Sequence, residues 1–243
     1  MGIPFAYHVR SAFVRKGATA LTVTAIGFAV AVLVLVLSLA RGFEEALAGT
    51  GSDRNAILLR SGATSEGVSG VTRDQARILA VADFVMRDDE GAPIAQPEVF
   101  AAFNLERTDG GKTNIPARGT GPSGLALRER ARIAEGRMFV PGRYELVAGK
   151  SLRGRLPGLV VGGAVELAGT TWYVAGILDS DGQAYDSELW MDVEILLRVL
   201  DRPAFSTMIV RLAESARIAA LNERFAARSW RSAFRRAWCS SAS

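Results

Sequence analysis

Histidine, cysteine and lysine are nearly missing from this 243-residue chain. The single histidine, His8, lies before the first long apolar run, away from any segment able to fold into a domain. Its position removes Ser-His-Asp and Cys-His catalysis, and most zinc sites, from the rest of the chain. Cys239 is the only cysteine, so no intramolecular disulfide can form and the folded part must be held by its core. The only lysines are Lys16, Lys112 and Lys150, every other basic residue being arginine. With abundant Ala and Gly, that bias points to a GC-rich bacterial genome and carries no functional meaning. Gly110-Gly111-Lys112-Thr113 ends like a phosphate-binding loop, but the pattern needs glycine where Glu106 stands. Both flanks also read as strand, so a hairpin turn is expected there. Gly162-Gly163 has no third glycine at the offset a dinucleotide site requires. Asp179, Asp181, Asp186 and Glu188 cluster in sequence without the terminal glutamate of a calcium loop, and a solvated loop is expected. No catalytic constellation, cofactor site or metal site follows from these residues, and the chain is expected not to be an enzyme.

What the sequence does contain is one long uncharged run, Ala18 to Ala40. At ~1.5 Å rise per residue it makes a helix of roughly 33 Å, against a hydrocarbon layer of ~30 Å. A cleaved signal peptide, with Ala46-Leu47-Ala48 as its cleavage site, is the rival reading. Signal cores are ~7–15 residues and this run is longer, so a retained anchor is expected. Arg10, Arg15 and Lys16 precede the run, and Arg41, Glu44, Glu45 and Asp53 follow it. The positive-inside bias places the N-terminus in the cytoplasm and the main domain outside. The expected organisation is a cytoplasmic segment over 1–17, a transmembrane helix over 18–40, an extracytoplasmic domain over 41–227 and a basic tail over 228–243. The charge of +4 owes much to Arg224, Arg228, Arg231, Arg235 and Arg236. The rest is near neutral, and nucleic acid is not an expected partner.

Ala20, Thr24, Gly27, Ala31 and Ser38 share one face of the apolar helix, and small side chains there permit close approach of a second helix. Simple alanine richness gives the same pattern. In the tail, Trp230, Phe234 and Trp238 recur at helical spacing among arginines, as in a helix lying on a membrane. A shifted reading frame in GC-rich DNA yields the same composition.

Between these ends the periodicity is mixed. Helix continues from Arg41 to Gly51. Strands are expected over Ala56–Arg60, Val99–Arg107, Lys112–Arg118, Glu145–Ala148, Ala164–Leu167, Thr171–Leu178 and Ser206–Leu212. Asp109-Gly110-Gly111 and Gly169-Thr170 are hairpin turns. Helices are expected after the Thr72 cap, and over Leu125–Ile133, Ser151–Leu156, Val193–Leu200 and Glu214–Ala227. Hairpins rather than βαβ units make the outer domain α+β.

Several segments, taken in order, resemble the bacterial MacB/FtsX-type ABC transporter permeases, which include the lipoprotein-releasing permeases. Ser52 to Gly62 is similar to that family's first outer strand. Arg118-Gly119-Thr120 resembles its RGV/RGT turn and Glu135-Gly136-Arg137-Met138-Phe139 its EGR-x-F motif. Gly142 to Gly149 resembles the following G-x-x-E-x-x-x-G, and Trp172 to Leu178 a hydrophobic-Val-x-Gly strand. The resemblance covers residue 1 to about Leu221. It implies a MacB-type periplasmic core domain on one anchor in a bacterial inner membrane. It also implies a non-catalytic subunit that pairs with a second permease and two cytoplasmic ATPase subunits. Family permeases carry three further spans, and this chain ends where the second is expected, as a truncated or frameshifted permease would. A stand-alone anchored interaction module is the alternative. The family's motif glycines are expected at turns or tight packing positions.

Overall fold

A computed structural model describes residues 16–48, 52, 54–213 and 234–238. The helix expected over 214–227, the N-terminal segment with His8, and Trp230 and Cys239 lie outside the described residues. The chain divides into two compact units, Met1–Leu47 and Ala48–Ser243.

The first unit is dominated by helix α1 (Lys16–Ala48). Its stretch Ala20–Gly42 is long and apolar enough to cross a membrane. None of that stretch is buried within the protein, and Leu21, Phe28 and Leu35 all stand exposed. A helix apolar on every side has no polar face to turn to water, which is the pattern of a lipid-facing span. The expected span of 18–40 lies within this helix.

Among the described residues, the second unit is built on one ten-stranded mixed sheet with two short helices. Its strands are β1 (Asn55–Arg60), β2 (Ala95–Glu106), β3 (Lys112–Thr120), β4 (Arg132–Gly136), β5 (Glu145–Gly149), β6 (Ala164–Leu167), β7 (Thr170–Asp179), β8 (Leu189–Asp192), β9 (Thr207–Arg211) and β10 (Phe234–Trp238). They order as β10-β1-β9-β2-β3-β8-β5-β7-β4, with β6 also paired to β7. The β2–β3 hairpin keeps unbroken register from Val99↔Gly119 to Glu106↔Lys112, so Lys112 opens a strand and not a phosphate-binding helix. Two pairs, β3–β8 and β5–β7, are parallel, which the hairpin signals alone did not foretell.

Helix α2 (Arg73–Ala80) starts where Thr72 predicted. The Thr72 hydroxyl accepts from the Gln75 amide at 3.3 Å, and the Gln75 side chain accepts from the Thr72 amide at 2.9 Å. Helix α3 (Val193–Val199) starts at Asp192, whose carboxylate accepts from the Ile195 amide at 2.9 Å. The sheet separates two apolar clusters. Leu146 and Ala148 of β5 join the larger one, with Trp172, Leu196 and Leu79, while Val147 joins the smaller one with Phe139, Tyr185 and Trp190. The strand's two-residue alternation serves both faces.

Two expected helices are corrected, and one of the two readings of the tail fails. No helix forms over Leu125–Ile133, where turns lead into β4. Over Ser151–Leu156 only the 3-10 turn Lys150–Leu152 forms. Phe234–Trp238 is extended and antiparallel to β1, not helical as the tail's aromatic spacing suggested.

Candidate functional site

The five small residues singled out on the anchor remain together. At 3.6 residues per turn, Ala20, Thr24, Gly27, Ala31 and Ser38 fall within an arc of about 60°. All five are exposed. The Thr24 hydroxyl donates to the Ala20 carbonyl at 2.8 Å, so that polar group is satisfied within the helix. A Cβ added at Gly27 would meet nothing within 4 Å. The face is open and smooth, which close helix approach requires.

The motif residues of the sheet domain converge on ion pairs and close contacts. Arg118 and Thr120, two apart on β3, point to the same side. Arg118 forks onto Glu188, Nε to Oε2 at 2.8 Å and Nη2 to Oε1 at 3.0 Å. Its Nη1 reaches Glu98 at 3.0 Å and Glu66 at 3.1 Å. Arg128 forks onto the same Glu98 at 2.8 and 2.7 Å, and the Thr120 hydroxyl donates to Glu98 at 2.7 Å. The Trp190 indole donates to Glu188 at 3.1 Å. Aromatic rings close the cluster, the Arg128 guanidinium lying 4.8 Å from the Tyr185 centroid and 4.9 Å from that of Trp190. Between the two motif side chains, Gly119 faces α3. A Cβ there would lie 3.0 Å from a Leu196 methyl and 3.1 Å from the Val193 Cα.

Glu98, Arg118, Arg128 and Glu188 are all buried. Burial pushes the Glu98 carboxyl up, but the Arg128 and Arg118 guanidiniums more than offset this and hold it at about 2. Burial likewise acts to lower Arg118, yet Glu188, Glu66 and Glu98 leave it raised well above its ordinary value. Such a carboxylate is saturated with donors and is a poor proton acceptor at neutral pH. The cluster is suited to holding segments together.

A second tie joins the other motifs. Arg137 forks onto Glu145 at 2.6 and 2.8 Å, and Val140 donates its amide to Glu145 at 3.0 Å. The Arg137 bonds above all hold the Glu145 carboxyl at about 2. Gly136 has φ of 72°, and a Cβ on it would lie 2.3 Å from the Ala175 carbonyl oxygen. A Cβ on Gly176 would lie 2.4 Å from the Arg137 carbonyl oxygen. The EGR segment, the glutamate of the next motif and the strand glycine thus form one close β4–β7–β5 junction.

The acidic run differs from the solvated loop expected. Asp186 and Glu188 are buried, and Asp186 accepts from the Ser180 amide and hydroxyl at 2.6 and 2.8 Å and from the Gly182 amide at 2.9 Å. Asp179 pairs with Arg132 at 2.7 Å and with Lys150, and only Asp181 stands out in solvent. Among the described residues, no group of three or more His, Cys, Asp or Glu side chains is placed to hold a metal ion. Glu98, Arg128 and Tyr185 carried no sequence signal. Arg118 did, as the first residue of its motif.

The fold and these ties define the class: a mixed-sheet domain braced by buried ion pairs, accompanied by a membrane-length N-terminal helix. The family model for the MacB-like periplasmic core domain matches residues 19–228, and the chain belongs to that family. The fold is similar to the periplasmic region of MacB from Actinobacillus actinomycetemcomitans, with TM-score 0.51 and 11% identity over 73% of this chain and 83% of that one. It is also similar to the extracellular domain of the noncanonic ABC-type transporter YknZ from Gram-positive bacteria, with TM-score 0.53 and 14% identity over 75% and 98%. Comparison with curated proteins found no match.

Proposed function

We propose that the chain is a non-catalytic membrane subunit, or the N-terminal part of one, of an ABC transporter of the lipoprotein-release type. Its partners are a cytoplasmic ABC ATPase, a second permease subunit and the lipid bilayer. The sheet domain lies on the periplasmic side of the bacterial inner membrane, where it transmits motion or contacts cargo. The observation that carries this reading is the family match over 19–228 together with the apolar stretch Ala20–Gly42. The buried ion pairs support it physically, because a domain that passes on motion must resist shear between its strands. The small-residue face of α1 is the proposed contact with a neighbouring transmembrane helix.

Affinity purification of the full chain from gently solubilised native membranes tests the proposal. An ABC ATPase and a second permease should be recovered with it. Recovery of a periplasmic protein with neither of them would overturn this reading in favour of a stand-alone anchored interaction module.

A further inference from the structure

Outside the motif junctions, a cavity of about 450 Å³ lies between α2 and the β2–β9 pair. Along α2, Arg73, Ala76, Arg77 and Ala80 face it, the one-sided spacing of a helix over a sheet. Phe205 and Met208 form its floor. Room is left because the facing side chains are small, Ala76 and Ala80 on the helix and Ala95 on β2. Leu79, fully buried in the same core as Ala76, Phe205 and Met208, holds the helix on the sheet beside the cavity. The volume falls in the lower part of the about 300–1,000 Å³ typical of small-ligand sites.

The wall chemistry selects the occupant. Among the described residues, the only charged groups on the lining are the two guanidiniums. The β2 and β9 backbones are paired with each other from Ala95↔Val210 to Glu98↔Thr207. A bound peptide would bring amides and carbonyls that these walls could not satisfy. A second protein copy needs a far larger buried surface than this groove gives. An alkyl chain needs no hydrogen bonds. The two arginines differ in availability. Arg73 is committed to Glu194 through bonds of 2.8 and 2.6 Å and lies 5.3 Å from the Phe205 ring centroid. Among the described residues, Arg77 pairs only with Asp74 on its own helix, both side chains being more than three-quarters exposed. Such a pair is weak and easily exchanged for another carboxylate, which a guanidinium can fork.

We propose that this groove binds a single-chain alkyl carboxylate, with the chain over Phe205 and Met208 and the head at Arg77. Arg73 narrows the opposite part of the mouth, where its guanidinium already covers the Phe205 ring.

The test uses the full chain in lipid nanodiscs with a diazirine-tagged lauric acid, crosslinked by light and mapped by mass spectrometry. Labelled peptides should include α2 or the Phe205–Met208 segment. Ala80→Leu, which fills the groove, and Arg77→Glu, which reverses the head contact, should each reduce that labelling by about fivefold or more. A diazirine-tagged alkyl trimethylammonium should label the groove weakly. Arg77 is exposed, so Arg77→Glu decides the matter if circular dichroism shows that Ala80→Leu does not fold. Labelling confined to α1, groove labelling unchanged by Arg77→Glu, or equal labelling by the ammonium probe would each overturn the assignment.

Discussion

Arg128 holds Glu98 by two hydrogen bonds of 2.8 and 2.7 Å across 30 residues of sequence. The same carboxylate takes a third bond from Arg118 at 3.0 Å and a fourth from Thr120 at 2.7 Å. Removing Glu98 would leave the buried Arg128 guanidinium without a carboxylate, its Nε being already unpartnered, while Arg118 would keep Glu188 and Glu66. Glu98→Ala should therefore cost about 3–5 kcal/mol, the range for breaking a buried pair from one side. Replacing both partners, Glu98→Leu with Arg128→Met, should cost clearly less than the sum of the single changes. Urea unfolding of the full chain in mild detergent, followed by tryptophan fluorescence, measures each. Additive costs would show that the two side chains are not coupled.

The same pair sets an acid dependence. Glu98 is at about 2 in the fold against an ordinary 4.5, so the folded state disfavours its protonation. The stability it contributes is fully present above about pH 4.5 and is lost as pH falls toward 2. Glu145, also at about 2, adds to the same slope. The urea midpoint should fall between about pH 5 and about pH 2, and Glu98→Gln should flatten that fall without abolishing it. Parallel slopes for the two proteins would mean that Glu98 does not carry the effect.

The glycines of turns and of the family motifs separate into two physical kinds. Gly110 has φ of 83° with open space around it, whereas Gly176 has the Arg137 carbonyl oxygen 2.4 Å from where a Cβ would go. Gly110→Ala bears only conformational strain, about 1 kcal/mol. Gly176→Ala must push two strands apart and should reach the top of the about 1–3 kcal/mol usual for overpacking, or exceed it. Thermal melts of both variants give the order, and a larger loss at Gly110 would contradict the packing at β4–β7.

Local signals were legible where the local chemistry decides the outcome. The Thr72–Gln75 box, the turn at Asp109-Gly110-Gly111 and the uncharged run of α1 each need only neighbours in sequence. The strand β4, Arg132-Ile133-Ala134-Glu135-Gly136, has little apolar alternation and exists because β7 pairs with it, through a bulge between Ile133 and Glu135. The helix read over Leu125–Ile133 is absent. There Arg128 bonds the Gly124 carbonyl and Glu98, Asn55 bonds the Leu127 carbonyl, and Arg211 bonds that of Ala126 at 3.0 Å. Those partners lie up to 85 residues away, and no local pattern announces them. Charged residues ordinarily sit at the surface, so Glu98, Arg128 and Glu188 read as solvated until their partners are known. The family motifs did point to Arg118, Gly119, Glu135, Gly136, Arg137 and Glu145, without showing that Arg137 and Glu145 close on each other.

Orientation in the membrane is open to a direct measurement. Arg10, Arg15 and Lys16 precede the apolar stretch, and the acids Glu44 and Glu45 follow it closely. Basic residues near a span stay on the cytoplasmic side, because moving them across is costly, while acidic residues contribute little to the choice. Ala20–Gly42 holds 23 residues, about 35 Å of helix at ~1.5 Å per residue, enough for one crossing. One crossing places the sheet domain on the far side from the N-terminus. Alkaline phosphatase folds only outside the cytoplasm, so a fusion after Leu212 should be active. A fluorescent protein that matures only in the cytoplasm should glow at the N-terminus and stay dark after Leu212. The reverse pattern would place the domain in the cytoplasm and remove it from any periplasmic role.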